Sequence, residues 1–422
     1  MLGVSAAGPT GESGATTGTT PSGASPARLT EREAWAVIVS VSGLGPVGFG
    51  ALLRTFGTGL AILERSIRPG GTPALVAGGI HDGRHTFGAP VAEAVAKVAA
   101  NPGPVLRRIK ATGVEILTLD DEAYPYRLRT IEMPPHVLFV LGDVAALSAR
   151  HAVAVVGTRR PTEGGRLVAA RIGAAIAKTG AAVVSGLAVG IDGAAQAAVT
   201  AEHGITVGVL GSGHGQLYPR AHANLARSIV ANGGAVVSEL APDTPPTGGT
   251  FPRRNRLISG LSDATVVVEA TEKSGALITA AWALEQGREC FLVPGPLGEP
   301  RSAGCLMWLR QYALQVRIVA GIPELIEDLG LLDDEGSATR SATPSLEAEL
   351  IELGGTARSL AIELVRGHGT LDELVAATGH SVATTLGALT LLELRGLATS
   401  AYGRYRPAGR LAAADPPAPS AA

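Results

Sequence analysis

Lysine is almost missing from this sequence: Lys97, Lys110, Lys178 and Lys273 stand against 31 arginines. Basic charge is therefore carried by permanently ionised guanidinium groups. The arginine and alanine excess runs through the whole chain, so a single Arg says little about function by itself. Cysteine is equally scarce, with only Cys290 and Cys305, which excludes a four-ligand zinc site and a disulfide framework and makes a reducing cytoplasm the expected compartment. Aromatic residues make up 4%, although a hydrophobic content of 46% is enough for real cores. The first 27 residues are mostly Gly, Ser, Thr, Ala and Pro, with no basic n-region and no apolar run. They are expected to form a disordered tail rather than a signal peptide or membrane anchor. The phosphate-loop pattern G-x-x-x-x-G-K-[ST] is absent, which argues against ATP hydrolysis. His203, His214 and His222 have no Cys or Asp partner at a recognisable spacing, and His203 reads as a helix end. Asp192 and Glu269 read as carboxylates that fix loop backbone or cap a helix. No catalytic residue, metal or cofactor is expected.

A length of 422 residues implies two or three domains. Residues 28–114 are helical in pattern and punctuated by glycine, as in "VSGLGPVGFGALLRTFG" at 41–57. There Gly43, Gly45 and Gly48 open a tight turn that suits either a phosphate or the packing of two short helices. The pattern changes at 114–143, where two apolar strands flank a Pro-punctuated segment, and the domain boundary is placed near residue 115. From 152 to 294, apolar runs (152–156, 181–185, 205–210, 235–238, 264–270, 290–294) alternate with amphipathic helical stretches. Such runs imply a parallel sheet covered on both faces, a doubly wound α/β domain spanning 115–332. A polar linker is expected at 333–347. Three helical patterns near 357–366, 371–378 and 381–395, followed by a hairpin turning at Gly403, outline a winged helix over 348–407. A disordered tail is expected at 408–422.

Ligands of an open α/β sheet bind beyond the carboxyl ends of its strands. Those ends read "GTRRP", "SGLAVGID", "GSGHG", "SEL", "EATEKSG" and "PGP", a concentration of glycine and hydroxyl groups. Helices expected just past Ser185-Gly186 and Ser274-Gly275 favour an anion, and Arg159 adds fixed charge to the same rim. "FPRRNRLISGLS" at 251–262 is expected to start a helix at Arg253, with Arg253 and Arg256 on one face toward the rim and Arg254 turned away. Several anion sites along one edge suit a chain of phosphates, so single-stranded nucleic acid is the expected ligand.

Seven blocks occur in an order that resembles the DNA-processing protein A family (DprA, also called Smf): "VVGTRRPTEGG", "VVSGLAVGIDGAA", "VLGSGHGQLYPRAHANL", "SELAP", "FPRRNRLISGLSDATVVVEA", "SGALITAAWALEQGRECFLVPG" and "SAGC". The upstream "LDDEAYPYRLRTIEMPPHVLFVLGD" is also similar to that family, and the resemblance covers roughly residues 30–310. It implies an extended Rossmann-like doubly wound parallel sheet, an N-terminal helical domain of SAM or helix-hairpin-helix type, and a C-terminal winged helix. It further implies a homodimer that binds single-stranded DNA and helps load the recombinase RecA during natural transformation. The family's DNA-binding positions fall on Gly157, Arg159, Ser185, Gly186, Arg253, Asn255, Arg256, Ser274 and Gly275. The chain departs from the family at Thr158 (usually Ser), Val189 (usually Arg), Gln196 (usually His) and Leu306 (commonly Asn), so affinity or strand preference is expected to differ. The winged helix offers Thr384, Thr385 and Arg395 on "SVATTLGALTLLELRG", with little basic charge. That leaves DNA contact and protein contact both open for this module, and weakens a reading as a regulator of duplex promoters. A nucleoside-monophosphate-cleaving enzyme would carry a "PGGxGT" loop, which this chain lacks.

Overall fold

The computed structural model describes residues 29–332, 346–401 and 404–412. The expected tail at 1–27, most of the expected linker, Gly403 and the end of the expected C-terminal tail lie outside the described residues. The N-terminal module has six helices, Glu31–Val39, Pro46–Phe56, Gly59–Ile67, Gly71–Gly78, Ala89–Ala100 and Gly103–Ala111. A small hairpin, β1 (Ile80–His81) and β2 (Arg84–His85), interrupts them. Thr30 and Glu33 close a capping box on the first helix, and Pro46 opens the second at the position where its missing N–H costs nothing. Trp35, Ile38, Phe49, Leu52, Ile62 and Leu75 pack into one core together with Val137 and Phe139 of the sheet. The boundary near 115 is therefore a change of architecture rather than a break in the hydrophobic core.

The central sheet has nine strands: β3 (Glu115–Thr118), β4 (Val137–Gly142), β5 (Ala152–Val156), β6 (Ala182–Ser185), β7 (Thr206–Val209), β8 (Ala235–Ser238), β9 (Ala264–Val267), β10 (Glu289–Leu292) and β11 (Arg317–Ile318). Their spatial order is β11-β10-β9-β5-β6-β7-β8-β4-β3, with β4 antiparallel to β8 and β3 antiparallel to β4. The seven strands from β11 to β8 are parallel. Side chains of each strand alternate between faces. On β5, Ala152, Ala154 and Val156 join one buried cluster while Val153 and Val155 join another. Both faces are dry, which is why these strands read as unbroken apolar runs. β9 and β10 end at Val267 and Leu292, three and two residues before the apolar runs do, and the remainder curves out as loop. The two-residue edge strand β11 had no sequence signal, because two residues carry no periodicity.

Chain order reverses at β5. The path runs outward through β6, β7 and β8 on one side and returns to β9, β10 and β11 on the other. The loops after β5 and β9 consequently diverge and leave a crevice at the carboxyl ends.

The C-terminal module consists of helices Leu346–Leu353, Gly355–Val365, Leu371–Thr378 and Val382–Leu394, the antiparallel strands β12 (Ala398–Ala401) and β13 (Arg404–Pro407), and a final turn, Gly409–Ala412. Leu411, 3% exposed, packs with Leu360, Leu364, Leu374 and Leu389. The folded module therefore extends through Ala412, past the expected boundary at 407, because Leu411 supplies core that the hairpin alone leaves open. Arg406 donates to the Glu285 carbonyl oxygen, and this contact seats the module on the central domain.

Candidate nucleic-acid interface

A crevice of about 600 Å³ opens at the β5/β9 switch point, lined by Gly157, Arg159, Asp192, Phe251, Arg254, Asn255, Ser274 and Gly275 among others. A smaller recess of about 120 Å³ adjoins it around Gly186, Ala188, Val189 and Tyr218. Arg159 leaves the end of β5 as an exposed side chain, its guanidinium 5.2 Å from the centre of the Phe251 ring. It makes no ion pair and no hydrogen bond among the described residues, so its donors are free for a ligand. Tyr218 is 45% exposed and stands 5.7 Å from Phe251, ring centre to ring centre. Two aromatic faces and an unpaired cation thus share one mouth.

The opposite wall is the start of helix Gly275–Glu285. Ser274 caps it through Oγ, which accepts from the Ala276 N–H at 3.3 Å. A Cβ on Gly275 would meet nothing within 4 Å, so this backbone faces open space. The partial positive charge of the helix start is directed into the crevice. Asn255 fastens the two walls, with Nδ2 donating to the Gly275 carbonyl oxygen at 3.0 Å.

The floor is built by packing. A Cβ on Gly157 would lie 2.6 Å from Ile191, and one on Gly186 would lie 2.7 Å from both Arg254 and Asp192. Only glycine permits these approaches. Ser185 is fully buried and donates to the Val155 carbonyl oxygen at 2.6 Å, holding β6 to β5. Asp192 accepts from the Gly186 N–H at 3.0 Å. Burial pushes its carboxyl above the ordinary range, against the pull of the Arg254 charge. Glu269 accepts from the Thr162 N–H at 2.9 Å and from its hydroxyl at 2.5 Å. Both carboxylates hold loops, in keeping with their reading as backbone anchors.

The arginine cluster departs from expectation. Helix Thr250–Gly260 starts three residues before Arg253, and partners from other elements, not the spacing along the helix, decide which side chain meets the crevice. Arg254, expected to turn away, is 5% exposed, donates to the carbonyl oxygens of Gly186 and Val209, and lines the crevice. Burial lowers its pKa to about 10, opposed by Asp192 and reinforced by Arg159, so it stays charged at neutral pH. Arg256, expected on the rim, is 1% exposed and paired with Glu239. Its charge is spent inside the protein. Arg253 is half-exposed and lies 3.5 Å from the same Glu239 carboxylate, facing a separate cleft of about 440 Å³ beneath the glycine turn at Gly43–Gly45. Arg253 and Arg256 therefore do not form one wall of the crevice. The helix after β6 also differs from the expected one. It starts at Ile191, so no helix terminus lies at Ser185-Gly186 and the anion-favouring end there is absent.

Gln196 is fully buried, its amide bonded to the Leu187 N–H, the Thr206 hydroxyl and the Val207 carbonyl oxygen. This departure from the family sits beneath the second loop rather than at its surface. Val189, by contrast, is 39% exposed and lines the smaller recess. His222 holds the same loop from outside, with Nδ1 2.9 Å from the Leu187 carbonyl oxygen. Phe251, Tyr218 and Arg254 are the crevice residues that sequence reasoning missed. The only signal available for the aromatics was their rarity in the chain.

On the winged helix, Thr385 is buried and Arg395 is held by Glu349 and Glu352 at 3.8 and 3.3 Å. The helix surface exposes Val382, Leu386, Leu391 and Leu394 instead. Cys290 and Cys305 are buried free thiols, pushed up to about 12 chiefly by burial, and so inert. Among the described residues no helix is by itself long and apolar enough to cross a membrane, and no three His, Cys, Asp or Glu side chains group as a metal site.

Fold and crevice together define a Rossmann-like α/β protein with a basic, aromatic-lined rim and an appended winged helix. The family model for DNA recombination-mediator protein A matches residues 115–329, and that for the DprA winged helix domain matches 367–404. DNA processing protein DprA of Bacillus subtilis is 43% identical over 209 residues, covering 50% of this chain and 70% of the relative. Protein Smf of Synechocystis is 31% identical over 406 residues, covering 89% of this chain and 98% of the relative. The crystal structure of DprA from Streptococcus pneumoniae superposes with a TM-score of 0.59 at 26% identity, covering 71% of this chain and 98% of that one. The chain belongs to the DprA/Smf family of DNA processing proteins.

Proposed function

We propose that this protein binds single-stranded DNA in the crevice at the β5/β9 switch point and acts as a recombination mediator without chemistry of its own. The observation that carries this reading is the unpaired Arg159 stacked over Phe251, with Tyr218 beside it and the open helix start at Gly275 opposite. A flexible strand presents phosphates and unstacked bases alternately, and this mouth offers donors and ring faces to match. A stacked duplex exposes no base faces for the aromatic pair. Of the expected DNA-binding positions, Gly157, Arg159, Asn255, Ser274 and Gly275 line the crevice, and Gly186 lines its adjoining recess. Ser185 supports from beneath.

Anisotropy titrations with single-stranded and duplex oligonucleotides of equal length, over a range of salt, test the reading. We expect single strands to bind more tightly, with log affinity falling by about 0.7 per phosphate neutralised for each decade of salt. Duplex preference, or no salt dependence, would sink it. Phe251→Ala is expected to weaken single-strand binding by about 1–3 kcal/mol, the usual range for one lost base stack. Because Phe251 contributes no charge, the salt slope should stay put. A changed slope with unchanged low-salt affinity would mean the ring only positions Arg159.

A mediator role, RecA as the recombinase partner, a homodimer as the working state, DNA uptake in natural transformation and a cytoplasmic setting extend the reading and rest on family membership. Two free buried thiols agree with a reducing compartment. Strand-exchange assays should show faster joint formation by RecA with substoichiometric protein. No acceleration would confine the function to binding. On helix Val382–Leu394 of the winged helix, the engaged Arg395 at its end and the exposed leucines favour a protein partner over DNA for that face.

A further inference from the structure

A cavity of about 430 Å³ lies where the three modules meet, lined by Arg54 and His81 of the helical module, Arg129, Glu132 and His136 of the segment before β4, and Arg404 of the winged helix. Arg54 is exposed and makes no ion pair or hydrogen bond among the described residues. Arg129 spends its donors on a neutral group, the Asp121 carbonyl oxygen, and stacks on Tyr124 at 5.5 Å, so its charge has no carboxylate partner there. Arg404 is only loosely tied to Glu373 at 3.9 Å. Glu132 is the one carboxylate in the lining, with Asp82 standing outside it, 3.1 Å from His81. Three guanidinium groups from three separate modules thus face one space with a single opposing carboxylate. Among the described residues, Glu132 and the more distant Glu373 are the carboxylates set against these three charges, which leaves a net positive cavity.

We propose that this junction cavity is a phosphate-binding site, and that it takes a backbone phosphate of the DNA strand after the strand leaves the crevice. The phosphate chemistry follows from the cavity alone, whereas the strand as its source rests on the proposed single-stranded DNA reading. Guanidinium forks match phosphate oxygens in geometry and charge. The helix Pro46–Phe56 approaches closely at Gly50, where a Cβ would lie 3.1 Å from the His136 ring and 3.6 Å from the Arg54 guanidinium. That approach brings Arg54 beside His136, whose Nδ1 is buried and without a partner. Burial, with the charges of Arg54 and Arg256, holds His136 at about 4 and therefore neutral, which leaves the imidazole one ring N–H to donate to a phosphate oxygen. Continuity supplies the path. Pro46 and His136 also line the cleft beneath the glycine turn, and that cleft is walled by Arg253, two residues after Phe251 of the crevice. The junction cavity and the cleft therefore share a wall, and helix Thr250–Gly260 stands between the cleft and the crevice, with Arg253 lining one and Phe251 the other.

The test compares the full chain with Arg54→Glu, Arg404→Glu and the double variant, each checked by thermal unfolding, since both side chains are at the surface and are expected to leave the fold intact. The probes are oligothymidylates of about 6 and about 20 nucleotides, spanning the usual site sizes, and inorganic pyrophosphate followed by calorimetry. We expect the short oligonucleotide to bind all variants within about twofold of the parent, and the extra affinity of the long one to drop at least about tenfold in the double variant, with a shallower salt slope. Pyrophosphate binding should vanish in the double variant. Pyrophosphate binding by the parent without any effect of the variants on the long strand would keep the phosphate site and overturn the strand as its source. No pyrophosphate binding together with an unchanged long-strand affinity would overturn the site itself. Failure of the parent to bind the short strand, with Arg159→Glu silent, overturns the crevice reading and leaves the pyrophosphate arm to decide the junction.

Discussion

Arg159→Glu is expected to lower affinity for single-stranded DNA by about 100-fold at physiological salt, about 2.7 kcal/mol, while the unfolding temperature stays at the parent value. The size follows from two contributions: loss of a charge-assisted contact worth about 1.5–3 kcal/mol, and a new carboxylate placed against incoming phosphate. The null effect on stability follows because Arg159 is exposed and, among the described residues, the Phe251 ring is the one group that holds its side chain, while the nearby Arg254 charge repels it. Arg159→Ala should give a smaller loss and reduce the salt slope by about one phosphate's share. Anisotropy titration paired with thermal unfolding separates the two readouts. A folded Arg159→Glu protein that binds as tightly as the parent would remove the crevice from the DNA path.

Arg256→Ala is expected to do the opposite, costing about 3–5 kcal/mol of stability because it leaves the Glu239 carboxylate buried without its main partner. Glu239 is 8% exposed, and only the longer 3.5 Å contact to Arg253 remains to hold it. Urea unfolding should show a lower midpoint at an unchanged slope. Any loss of DNA binding should track the unfolded fraction and return when the protein is measured below its transition. The double variant Arg256→Met, Glu239→Gln should recover much of the stability, since removing both charges removes the orphan. If Arg256→Ala unfolds like the parent yet binds at least about tenfold more weakly, the guanidinium contacts DNA after all. Arg254 is a poorer probe, because it ties together Gly186, Val209 and Asp192 and lines the crevice at once.

These two arginines show where sequence reasoning stops. On a helix, residues three apart share a face, and Arg253 and Arg256 were paired on that ground. The spacing says nothing about which face meets the crevice. That was settled by Glu239, which leaves the end of β8 and captures Arg256 inside the protein. In the sequence it was one letter of "SEL". Arg254 found carbonyl oxygens on the loop after β6 and at the end of β7, partners 68 and 45 residues away. Phe251 and Tyr218 likewise form a pair only because the loop after β7 folds back over the helix start. The Ser185 hydroxyl turns to the neighbouring strand, since a hydroxyl at a strand end can face a ligand or that strand equally well.

What the sequence determined by itself was the doubly wound sheet, the carboxyl edge as the place where a crevice opens, the helical start at Gly275 and the family. Those features are written in local patterns: β-branched runs that need two dry faces, glycines at strand ends, a serine one residue before a helix. Tertiary structure alone decided which guanidinium groups stay free, which are neutralised by a carboxylate, and how three modules close around the cavity at Arg54, Arg129 and Arg404. The reason is electrostatic. A charge is available to a ligand only if no partner from elsewhere in the chain has claimed it, and those partners are set by long-range packing that no local spacing records.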